Sequence, residues 1–134
     1  MNAAIIKTKQ EDKSKAFEYL KKAEDNYEQM QIALRAGNYN AAATLAVQCA
    51  ISAADAVCIH ETSVRSISQN HFDLCDLVES VPLPESKGKS SALKKIISKK
   101  NLIQYESRSI HSNEADEIVK IAGRVFRWAA SVVK

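Results

Sequence analysis

NAAATLAVQCAISAADAVCIH, residues 40–60, is apolar nearly all the way round. A helix of that kind has no face to give to water, so it must be surrounded by other helices or by lipid. Asp55 alone would cost up to ~3 kcal/mol at the centre of a bilayer. Much of the apolar content is alanine, which is weakly hydrophobic and lets neighbouring helices approach closely. The segment therefore predicts the central, buried helix of a soluble domain with no membrane association. Its polar residues Thr44, Gln48, Ser52 and Asp55 recur at spacings of four, four and three, which puts them on one narrow stripe. That stripe is either a seam facing solvent or a subunit, or the polar floor of a site.

The flanking sequence supplies the helices that would cover it. Ala16, Leu20, Ala23, Tyr27, Met30 and Leu34 mark one face of an amphipathic helix beginning near Ser14. Gly37 can take the left-handed conformation that ends it, and Asn38 or Asn40 can cap the central helix. Residues 61–67 read as a loop. A shorter helix over about 69–79 would turn Phe72, Cys75 and Val78 inward, flanked by Leu74 and Leu77, with Ser68 or Asn70 as its cap. Pro82 and Pro84 stop it. Residues 84–90 read as a polar loop, and a fourth helix runs from about Ser91 to Glu106. Ser112 can cap the last helix, whose inward set is Ala115, Ile118, Val119, Ala122, Val125, Phe126, Ala129 and Val133. The expected fold is all-α, an antiparallel bundle of four to five helices without strands. It comprises one domain over residues 14–134 behind a flexible tail over 1–13.

Composition agrees. In 134 residues there are 3 Gly, 2 Pro and 6% aromatics, too few turn and strand formers for a β-sandwich. The 3 Cys form no metal-type pair, and their odd number argues against a secreted disulfide framework. With no signal-peptide pattern at the start, the expected location is cytoplasmic. Residues 84–134 carry eleven bases against five acids. Lys94, Lys95, Lys99 and Lys100 belong to a run without an intervening acid. Such a run is either a solvated helix face or a set of phosphate contacts for nucleic acid. There is no Gly-rich phosphate loop and no Gly-x-Ser-x-Gly, and His60, His71 and His111 lack metal spacing. No cofactor and no metal site is expected.

The order of helices carries a resemblance. It includes the block Lys100-Asn101-Leu102-Ile103-Gln104-Tyr105-Glu106, then Ser112-Asn113-Glu114-Ala115, and a last helix ending Phe126-Arg127-Trp128-Ala129. Over roughly residues 14–133 the chain is similar to the HEPN domain superfamily of small helical bundles. The resemblance implies a homodimer. It further implies either a metal-independent ribonuclease, often a toxin, or a non-catalytic module that binds a nucleotide, an RNA or a partner protein. An antitoxin or a nucleotidyltransferase is the kind of partner it suggests. The family's motif is Arg, four to six residues, then His, often with Asn after the Arg.

Two stretches can be laid on that motif. Lys100-Asn101 and Tyr105 match its spacing, but Lys lacks the planar fork that grips phosphate, and Tyr is a poor base at neutral pH. Arg65 and His71, with five residues between them, have the right chemistry in a different place, between the second and third helices. There the guanidinium could hold a phosphate and the imidazole could move a proton, with Asp55 nearby in sequence. The alternative is an exposed Arg and a His packing at a helix start. The expected site residues are thus Arg65 and His71 for catalysis, Asp55, Lys100, Asn101 and Tyr105 for ligand binding, and Lys94, Lys95 and Lys99 for nucleic acid. Because the motif's fork and base are both replaced at Lys100 and Tyr105, the non-catalytic module is the preferred reading and the ribonuclease the alternative.

Overall fold

Gly37 adopts the left-handed conformation, with φ of +79°, that its position demands. It separates α1 (Ala16–Arg35) from α2 (Tyr39–Thr62), and so short a connection makes the two a helical hairpin. The computed structural model describes residues 6–134. After α2 come α3 (Phe72–Ser80), α4 (Ser86–Ser98), the six-residue α5 (Lys100–Tyr105) and α6 (Ser112–Val133). The fold is the expected all-α bundle.

Helix α2 touches each of the other α-helices. Along it Ala42, Ala43, Ala46, Ala50 and Ala53 are wholly buried, and these small side chains let α1 and α6 pack against it. The helix is long and apolar enough to cross a membrane, yet 72% of its apolar window is buried inside the bundle, as suits a core helix. Helix α6 buries every residue of the expected inward set. Its start differs in detail. His111, not Ser112, occupies the cap position, and the Glu114 carboxylate accepts from the His111 backbone N–H at 2.8 Å.

Several expectations are corrected. Thr8–Gln10 form a strand, β1, paired antiparallel with β2 (Val64–Ser66), so the bundle is not strand-free and this part of the expected tail is tied down. Thr8 lies opposite Ser66, Lys9 opposite Arg65 and Gln10 opposite Val64. All three β1 residues are exposed, so no apolar alternation betrays the strand; backbone hydrogen bonds alone make it. Residues 1–5 of the expected tail lie outside the described residues. Ser63, left-handed at φ of 59°, turns the chain from α2 into β2 inside what reads as a loop.

In α3, Leu74 is buried and Phe72 is 43% exposed, the reverse of the expected facing. Cys75 and Val78 are buried as expected, and because the helix begins later than predicted Phe72 stands at its first position, at the exposed end of the stripe. Helix α4 begins at Ser86 rather than after a loop over 84–90. Its inward positions there are the buried Ser86 and Ser90, and the Ser90 hydroxyl donates to the Cys75 carbonyl at 2.7 Å. The single helix expected over 91–106 is broken at Lys99 into α4 and α5. All three cysteines are free and buried, and burial pushes the Cys49 thiol up to about 12 and Cys75 to about 11. They stay protonated, as small core residues do.

Candidate functional site

Four elements meet at one concavity. Strand β2 carries Arg65 and Ser66, and α2 brings Asp55 from about two turns before its end. The turn after β2 carries Ser68 and His71, and the cavity, about 320 Å³, is lined by all five of these with Ile51, Ile67 and Leu74. Hydrogen bonds fix the turn. The Ser68 hydroxyl donates to the Asp73 carboxylate at 2.6 Å and accepts from the Asn70 N–H at 3.1 Å. The Asn70 side chain accepts from the Phe72 N–H at 3.0 Å, one residue ahead of the cap position of α3, which His71 holds. His71 is thereby set at the mouth of the helix.

The polar stripe of α2 divides. Thr44 and Gln48 are exposed, whereas Asp55 is buried at 8% exposure and faces the cavity. Burial pushes its carboxyl up to about 7, against the pull of Arg65 and Lys22. No hydrogen bond within the protein reaches Asp55 among the described residues. Arg65 is held by two neighbours: its Nε lies 3.5 Å from the Glu11 carboxylate, and its guanidinium stands 5.4 Å from the Tyr19 ring centroid. Glu11 directly follows β1, so the strand pairing is what steadies Arg65. The Nε is buried and makes no hydrogen bond among the described residues.

Lys100 comes to the same place from α5. Its Nζ stands 3.1 Å from Nδ1 of His71. Burial first, and the Lys100 charge second, hold the His71 imidazole below its ordinary range. An ammonium only donates, so Nδ1 accepts and the ring proton sits on Nε2.

Of the expected residues, Asp55, Arg65 and His71 share the cavity and Lys100 abuts it. Asn101 and Tyr105 do not line it, and Tyr105 is 74% exposed. Positions five apart on a helix differ by about 140° of rotation, so with Lys100 directed to His71, Tyr105 faces away. The lysine run is dispersed as well. Lys94 reaches Glu79 of α3 at 4.0 Å, while Lys95 and Lys99 border a crevice of about 120 Å³ that they share with Glu117 of α6. Glu11 and Tyr19 carry no motif in the sequence, and Ser66 and Ser68 stand between Arg65 and His71 without being expected in the site. Only the pairing of β1 with β2 makes Glu11 a neighbour of Arg65.

Arg108 and His111 have a structural task. Nη1 and Nη2 of Arg108 both donate to Glu114 at 2.9 Å, and with the His111 N–H they hold that carboxyl down at about 2. Among the described residues, no group of three or more His, Cys, Asp and Glu is placed to hold a metal ion.

Residues 16–132, nearly the whole chain, match the HEPN domain family. No curated protein and no solved structure matches the chain.

Proposed function

Because the chain belongs to the HEPN domain family, we propose that it is a helical module that binds a nucleotide or RNA phosphate in the Arg65–His71 cavity without cleaving it. Its working unit is a homodimer in the cytoplasm. One observation carries this reading: Lys100 Nζ lies 3.1 Å from His71 Nδ1. The nitrogen lone pair that a general base would use is engaged, and the remaining nitrogen is a donor. Arg65, Lys100 and His71 then form a set of donors suited to phosphate oxygens. Asp55, which no hydrogen bond reaches among the described residues, suits a ribose hydroxyl or a base amino group. The exposed Ile67 and Phe72 beside the cavity offer an apolar surface for a second copy.

The ribonuclease reading draws support from the shared cavity of Arg65 and His71. One experiment separates the two. The purified protein is incubated with RNA in EDTA, and binding and cleavage are followed together, with His71→Ala and Arg65→Gln as controls. Binding that falls with salt and weakens in Arg65→Gln, with the RNA intact, is the expected result. Cleavage that disappears in His71→Ala would replace binding with catalysis.

A further inference from the structure

The chain has five arginines. Arg65 is paired with Glu11 and Arg108 with Glu114. The other three, Arg35, Arg124 and Arg127, make no ion pair among the described residues, and all three line one groove between α1 and α6, about 330 Å³ in volume. This groove shares no lining residue with the Asp55–His71 cavity.

Its floor is apolar. Met30 and Val119 are buried there and Leu34 is half-buried. Tyr27 forms one wall, its ring stacked on Phe126 with centroids 4.5 Å apart. Gly123 lies in the middle of α6, where a glycine weakens a helix. A Cβ at that point would meet Arg127 Nη1 at 3.1 Å and Tyr27 Cε1 at 3.6 Å. The bare backbone lets Arg127 lie down against Tyr27, whose hydroxyl it reaches at 3.2 Å. Lys120 is neutralised locally by Asp116 at 3.0 Å, so the net charge of the groove comes from the three arginines.

Guanidinium forks match the oxygens of phosphate, and unpaired cations beside an apolar floor match a molecule with a doubly charged head and an apolar or planar body. We propose that the α1–α6 groove binds a small phosphomonoester, its phosphate on Arg35, Arg124 and Arg127 and its body against Tyr27 and Leu34, above the buried Met30 and Val119. The site is separate from the Arg65 cavity and stands whether or not that cavity binds phosphate.

The test titrates the full ¹⁵N-labelled chain with inorganic phosphate, with phenyl phosphate and with a short 5′-phosphorylated RNA. It follows the Gly123 and Arg127 amides and the arginine Nε signals. Phenyl phosphate is expected to move them saturably and to bind about tenfold more tightly than inorganic phosphate, because its ring covers the apolar floor. The double variant Arg35→Gln/Arg124→Gln, at exposed positions, should melt as the parent does and lose about tenfold in affinity. Arg65→Gln should leave these shifts unchanged, which separates this groove from the other cavity. Absence of saturable shifts with phenyl phosphate, or equal affinity in the double variant, would overturn the proposal. So would RNA that moves the same signals at lower concentration than phenyl phosphate, since the groove would then follow a polynucleotide strand.

Discussion

Asp55 sets a pH dependence that can be read from stability. Its folded carboxyl is held near 7, against an ordinary value of 3.8, because burial penalises the charge. Between those limits the folded chain binds the extra proton, so this residue's contribution is fully present in acid and is lost as pH rises from about 4 to about 7. Asp55→Asn should remove that slope, and at pH 8 the variant should be more stable than the parent by about 1–4 kcal/mol. Denaturant melts of both proteins from pH 4 to 8 check it; parallel curves for the two would refute the assignment. Opposing titrations elsewhere, such as Glu114, cancel in the comparison. His71 offers a second measurement. Lys100→Ala should raise its titration midpoint toward 6.5 by NMR without restoring it, since burial is the larger cause. At this scale the sequence was informative where chemistry and spacing coincide. Arg65, His71 and Asp55 stand out as residue types, and they share a cavity. Tyr105 was chosen by motif spacing, and the rotation of the helix carries it to solvent.

Elements were legible in proportion to their apolar period. Helices α1, α2 and α6 show a continuous stripe or an unbroken apolar run and were read with their inward residues. Helix α4 was truncated because its first turns bury Ser86 and Ser90, and serines announce a loop in sequence. The β1–β2 ribbon left no trace because its stabilisation is backbone pairing between segments far apart in the chain. Gly37 gives the element-scale prediction. A Cβ there meets nothing within 4 Å, so Gly37→Ala tests backbone strain alone at φ of +79°. A loss of about 1 kcal/mol is expected from the α1–α2 turn. A neutral result in thermal melts would mean the turn relaxes to another conformation.

In the whole molecule, α2 is the post around which the other helices stand, and of two cavities of similar volume one is lined in part by α2 and the other only by α1 and α6. The proposed homodimer uses the Ile67 and Phe72 surface. Sedimentation at tens of micromolar should give a dimer, and Ile67→Asp with Phe72→Asp should give a folded monomer. A dimer that survives both changes would move the interface elsewhere. The ribbon between β1 and β2 has a mechanical consequence. Its bonds run from the Ile67 N–H on the Lys7 carbonyl to the Glu11 N–H on the Ser63 carbonyl. A pull applied at Lys7 loads them one after another, as a zipper, instead of all together in shear. Such a peel reaches Arg65 through its partner Lys9 before it reaches any helix. Tension at that point is thus transmitted first to the wall of the Asp55 cavity, and the bundle behind it feels the force last.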